Sequence, residues 1–217
     1  MATLHYIHDP LCGWCYAVAP LIAASRKVDG LDLHLHGGGL MSGPARRQVT
    51  PELRAYVMGH DQRIAQLTGQ VFGDGYYNGL LLQTGIWFDS TPPIAAILAA
   101  EALAQRGADM QAALQSAHYA QGLRISEADT LMTLAASLGL DQTAFAAELS
   151  KQMAGPVDQH IAASRQLLQQ AGGGGFPTLL LETEKGWRRL DTSPYLGKPE
   201  AWQQALEELL SLQTQAL

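Results

Sequence analysis

Cys12 and Cys15 are the only cysteines in the chain, and they stand two residues apart in the run Asp-Pro-Leu-Cys-Gly-Trp-Cys-Tyr, residues 9–16. That spacing lets the two sulfurs meet. Such a pair can form a dithiol–disulfide couple, supply half of a metal site, or serve as two small buried apolar groups. A structural zinc site takes four ligands, and with no second cysteine pair the rest would have to be histidines such as His5, His8, His34 or His36. None of these shows a Cys-x-x-Cys…His-x-x-x-His spacing. Redox chemistry is therefore the favoured reading, with Cys12 attacking and Cys15 resolving a mixed disulfide.

The elements around the pair suit that chemistry. Thr3–His8 is rich in β-formers, and Leu31–His36 alternates Leu with polar residues, the pattern of a half-wet strand at a sheet edge. Between them, Trp14–Val28 reads as a crossover helix, which makes a βαβ unit. Cys12 then falls at a helix mouth, where unpaired N–H groups and the helix dipole favour negative charge. From Thr50-Pro51 to about residue 171 the pattern is helical, with no convincing strand. Starts are expected at Thr91-Pro92, with Thr91 as N-cap, at the capping-box spacing of Ser126–Asp129, at Asp141, and after Gly155-Pro156. Thr178–Glu182 and Trp187–Asp191 then form a hairpin around a turn at residues 183–186, and a helix carrying Trp202, Leu206, Leu209 and Leu210 follows.

Composition excludes several classes of function. Fourteen Lys and Arg against twenty Asp and Glu give a formal charge of -6, which offers no general attraction to nucleic acid or an anionic membrane. No stretch of about 20 apolar residues exists to span a bilayer, and the N-terminal residues lack the pattern of a secretory signal. A cytoplasmic location is expected, where paired cysteines are catalytic or metal-binding more often than structural.

The Cys-x-x-C motif of Leu-Cys-Gly-Trp-Cys-Tyr, the helical block set into a β-α-β…β-β-α frame, and Gly-Gly-Phe-Pro-Thr-Leu-Leu-Leu-Glu (residues 174–182) together resemble the DsbA-like thioredoxin-fold oxidoreductases, in particular the cytoplasmic DsbA/FrnE-like branch described as predicted protein-disulfide isomerases. The resemblance implies an α/β thioredoxin-like fold with a large all-helical insertion: residues 1–45 as the βαβ half, 46–155 as the insertion and 156–217 as the αββα half. It matches Cys12 to an exposed nucleophile and Cys15 to the resolving cysteine. Pro177 matches the proline whose preceding peptide bond is cis, and Pro20 a proline that kinks the active-site helix. Gly13, Trp14, Phe176 and Pro177 are the implied substrate-binding residues, with the Phe176 backbone pairing to a substrate segment. An X-Pro bond entering a strand suits a cis peptide on physical grounds as well.

The chain departs from that family at Tyr6, which occupies the position of a buried acid six residues before the first cysteine. Asp9 lies closer, and would raise a thiol pKa if buried or cap the helix if exposed. The histidines of the first two strands read as hydrated or hydrogen-bonded rather than functional. Tyr76, Tyr77, Trp87 and Phe88 read as core. The expected activity is disulfide exchange on proteins or low-molecular-weight disulfides, needing no metal or organic cofactor, with glutathione as the one co-substrate considered. The alternatives are a glutathione-dependent transferase or isomerase of the kappa-class or chromene-carboxylate isomerase type, which usually carries a serine near the first motif position, and a metal-binding or scaffold module.

Overall fold

The computed structural model describes residues 2–184 and 186–214. Met1, residues 215–217 and Lys185, the last within the expected hairpin turn, lie outside the described residues. The first half runs β1 (Ala2–His8), α1 (Gly13–Ala17), α2 (Ala19–Ser25), β2 (Leu31–Gly37), β3 (Arg47–Gln48), α3 (Pro51–Thr68) and β4 (Trp87–Phe88). Then come α4 (Thr91–Ala104), α5 (Gly107–Gln115), α6 (Ala128–Ser137), α7 (Gln142–Met153), α8 (Pro156–Gln170), β5 (Thr178–Thr183), β6 (Gly186–Leu190) and α9 (Pro199–Thr214).

Four strands make one sheet in the order β2-β1-β5-β6. β1 pairs parallel with β2 and antiparallel with β5, and β5 pairs antiparallel with β6. β2 is thus an edge strand, as its alternation predicts. Leu4 and Tyr6 of β1 and Leu179 of β5 join Leu21, Ile22, Trp202 and Leu206 in one buried cluster under α1, α2 and α9. Alternation sends His36 to the opposite face, where its ring stacks on His160 of α8. Trp202 fastens α9 to α2 by donating its indole N–H to the Ser25 hydroxyl at 2.8 Å.

The expected crossover helix is broken in two. Pro20 has no N–H to offer the Tyr16 carbonyl, four residues back. The Gln70 side chain donates to that carbonyl instead, at 2.7 Å, so the break does not leave this acceptor unpaired.

α4 is buried on nearly every side through Ile94, Ala95, Ala96, Ile97, Ala99 and Ala100. Its small residues let neighbouring helices approach closely. The insertion is not wholly helical, because β3 and β4 pair antiparallel within it. Two-residue strands are too short to show a period of two. Two helix starts also differ from expectation. Thr91 is the first residue of α4 and Ser90 precedes it as cap, while Ser126 sits one residue before the α6 cap Glu127. In both cases the serine hydroxyl is engaged in tertiary contacts instead. Asp141 and Thr50 cap their helices as expected, accepting from Ala144 N–H at 2.8 Å and Leu53 N–H at 3.1 Å.

The active-site loop lies on the seam between two cores. Cys12 and Cys15 pack with the sheet cluster, whereas Leu11 and Tyr16 belong to the core of the helical block.

Candidate active site

β1 ends at His8, and the chain turns so that the Cys12 N–H bonds to the Asp9 carbonyl at 3.2 Å. Cys12 is the N-cap of α1 and contributes no side-chain cap. Its thiol faces the Phe176 carbonyl at 3.5 Å, on the residue preceding Pro177, and the Phe176-Pro177 peptide is cis. Cys15 lies behind it. Of the two, Cys12 keeps 7 % exposure and Cys15 none. Cys12 is therefore less open than the exposed thiol expected there, because the loop holding it is packed between two cores. Burial pushes the Cys15 thiol well up, reinforced by a hydrogen bond to the Cys12 side chain and the charge there. The Asp9 N–H points at the Cys15 sulfur from 3.4 Å.

Gly13 and Trp14 meet the inserted helix α3. A methyl group on Gly13 would lie 2.8 Å from Asp61 Oδ1 and 3.2 Å from Ile64 Cδ1, so nothing larger fits without displacement. The Trp14 ring has the Arg63 guanidinium 6.0 Å from its centre. Beside Trp14, Phe176 and Pro177 opens a groove of about 590 Å³, whose lining also includes Arg189, Asp191 and Ser193. The four residues expected to bind substrate thus lie round the two cysteines, and three of them line one groove.

The position of the family's buried acid is filled by Tyr6, whose hydroxyl donates to the Cys15 carbonyl at 3.2 Å. Asp9 takes the buried of its two expected alternatives. It has no exposure, and its carboxylate accepts from Leu11 N–H at 2.9 Å, Leu40 N–H at 2.6 Å and the Ser90 hydroxyl at 2.9 Å. Burial outweighs those three donors and pushes the carboxyl up to about 6. Ser90 also accepts from Met41 N–H at 3.0 Å, which ties the active-site loop to the insertion.

Asp61 was not legible as a site residue. It is 3 % exposed on α3, and its Oδ2 accepts from the Tyr76 hydroxyl at 3.0 Å. Burial pushes it up to about 7. Tyr76 and Phe88 are core as expected, but Trp87 is 54 % exposed, because β4 is paired only to β3 at the surface and Arg46 lies over its ring.

Three of the strand histidines, His5, His34 and His36, pack on one another. His5 bonds His36 at 2.9 Å and Glu182 at 2.8 Å. His8 differs from the hydrated reading: it is wholly buried, and neither ring nitrogen has a partner. Among the described residues no three His, Cys, Asp or Glu side chains are arranged to hold a metal ion, and no helix is long and apolar enough to cross a membrane.

The family model for the DSBA-like thioredoxin domain matches residues 3–195. No match was found among curated protein sequences. Among solved structures, the cytosolic disulfide reductase DsbM from Pseudomonas aeruginosa is 51 % identical, with a TM-score of 0.92 over 97 % of this chain and 99 % of that one. A structure of DsbM with GSH aligns at 49 % identity and a TM-score of 0.90, over 96 % and 99 % of the two chains. A candidate protein disulfide isomerase from Nitrosomonas europaea is 25 % identical, with a TM-score of 0.79 over 97 % and 98 %. A 2-hydroxychromene-2-carboxylate isomerase shares the fold at 18 % identity, with a TM-score of 0.60 over 99 % of each chain. A family match across nearly the whole chain, on a sheet and helical insertion that bring two cysteines against a cis-proline loop, makes this protein a member of the DsbA-like thioredoxin family and a thiol–disulfide oxidoreductase.

Proposed function

We propose that the protein reduces or isomerises disulfides in a reducing compartment such as the cytosol, with Cys12 as nucleophile, Cys15 as resolving thiol and glutathione as the source of electrons. The observation that carries this reading is the asymmetry of the pair. Of the two residues only Cys12 has any exposure, and its sulfur faces the Phe176 carbonyl, whereas Cys15 is wholly buried.

The Cys12 thiolate attacks one sulfur of a substrate disulfide, RS–SR′, forming the Cys12–SR bond and expelling R′S⁻, which takes up a proton. Cys15 then loses its proton and attacks Cys12, closing the Cys12–Cys15 disulfide and releasing RSH. Two glutathione thiols restore the dithiol and leave as glutathione disulfide, so two electrons and two protons pass to the substrate. The pressure of burial on Cys15 suits this order, because a protonated resolving thiol does not compete for the incoming disulfide.

Trp14, Phe176 and Pro177 supply an apolar wall for the group bonded to Cys12. Gly13 leaves room for the α1 turn under α3. Arg189 and Asp191 in the same lining offer one charge of each sign, which suits the carboxylates and ammonium group of glutathione. The structure of DsbM with GSH supports this choice of reductant, and the cytosolic assignment of DsbM supports the compartment.

The test is a Cys15→Ser variant, which cannot release its partner. Trapped adducts on Cys12 identified by mass spectrometry should be protein disulfides together with glutathione. Glutathione conjugation of small electrophiles without any turnover of disulfides would instead place the protein with the transferases and isomerases that share its fold.

A further inference from the structure

The helical insertion brings a carboxyl group to the dithiol that the thioredoxin frame does not supply. Along α3 only Asp61 and Ile64 are fully buried, and both press on Gly13. Apolar residues would serve that contact at lower cost, since a buried carboxyl with one hydrogen-bond partner is expensive to ionise. Its placement at the first turn of α1, next to Cys12, gives the group an electrostatic consequence. Adding the Gly13–Cys12 Cα spacing to the length of a cysteine side chain puts the carboxyl within about 10 Å of the Cys12 sulfur. At an effective dielectric constant of about 20, like charges that far apart shift an equilibrium roughly tenfold.

We propose that Asp61 sets how strongly reducing the dithiol is: its carboxylate, carried by the insertion against Gly13, opposes negative charge on the Cys12 sulfur and so favours the disulfide form of the couple. This rests on the exchange activity argued above and gives it a direction. A couple whose thiolate form is stabilised is an oxidant. Destabilising that form makes the enzyme release its two electrons more readily, through the reaction of enzyme dithiol with glutathione disulfide to give enzyme disulfide and two glutathione thiols.

The effect switches on with pH, because Asp61 is pushed up to about 7. The groups facing it stay neutral around that value. Burial pushes Tyr76 and Tyr119 far up and Tyr77 to about 12, holds the Cys15 thiol high, raises Tyr16 and presses His118 down to about 3. Two cations of the same helix as Asp61 lie on its surroundings, Arg63 over Trp14 and Arg54 donating to the Tyr77 carbonyl. Asp9, on the other side of the loop, is pushed only to about 6.

The experiment measures the equilibrium of the purified protein with glutathione and glutathione disulfide at pH 6, 7 and 8, in wild type, Asp61→Asn and Tyr76→Phe. At pH 8 the Asn variant should be displaced towards the dithiol, by up to about tenfold or about 30 mV for a two-electron couple, and at pH 6 it should match wild type. Tyr76→Phe removes the carboxylate's donor and should move the same way at pH 7 by a smaller factor. A merely structural role for Asp61 predicts no dependence of the difference on pH. Identical equilibria at pH 8, or a difference that does not change with pH, overturn the proposal while leaving the exchange activity intact. A wild-type dithiol that never equilibrates with glutathione overturns the activity and this proposal together.

Discussion

Replacing His8 with Leu should make the protein less sensitive to acid, by an amount the structure lets one work out. His8 closes β1, has no exposure, stacks on Tyr6 at 4.8 Å and leaves both ring nitrogens without a partner. Burial first, then the neighbouring His160 and His36, press its pKa from 6.5 to about 3. The folded value lies below the unfolded one, so the neutral ring's contribution is complete above the unfolded pKa and is lost as pH falls towards the folded one. At pH 5 the unfolded chain has gained about 1.5 pH units of protonation free energy that the folded chain has not, worth about 2 kcal/mol. Wild-type stability alone would not reveal this. His118 is pressed down to about 3 in the same way, while Asp9 and Asp61 are pushed up and so add stability as pH falls through about 6 and about 7. The difference between His8→Leu and wild type removes those shared contributions. Urea denaturation at pH 8, 6 and 5 should show that difference moving by about 2 kcal/mol in favour of the variant. A difference constant across the series to about 0.5 kcal/mol would refute the idea that His8 is held neutral by burial.

The structure makes three further predictions. Gly38→Ala places a methyl group on the Phe176 ring and should shift the carbonyl that faces Cys12; stability should fall by about 1–3 kcal/mol, and the rate of disulfide reduction should drop more than the folded fraction does. Ser90→Ala takes a donor from the buried Asp9 carboxylate and an acceptor from Met41 N–H; chemical denaturation at pH 8 should show a loss of about 1–3 kcal/mol, smaller at pH 5, where Asp9 is protonated. Gln105 sits at φ 55 at the end of α4, where a β-carbon is costly; Gln105→Gly should raise the melting temperature, by a gain of up to about 1 kcal/mol.

Much of the frame could be read from local patterns because those patterns act over a few residues. The alternation of Leu31–His36 put β2 at an edge, and the edge is where it lies. Thr50-Pro51 and Asp141 announced two helices because an N-cap bonds an N–H only three residues on. Ser126 misled for the complementary reason: it had the right residue type, but the Asp89 carbonyl 37 residues back claimed its hydroxyl, while Thr91, read as a cap, is itself the first residue of α4. The two-residue strands at Arg47 and Trp87 carried too few residues to show any period.

The cysteines, their spacing and the proline at residue 177 were visible in the linear chain, and with them the class of reaction. The charges around that reaction were not. Asp9 is 81 residues from the Ser90 that holds it, and Asp61 meets Gly13 only because α3 folds over α1. A carboxyl in water and one against a buried glycine share a formula and differ in solvation. Solvation belongs to the packed molecule, so it was folding, not residue type, that moved these two acids towards neutral pH.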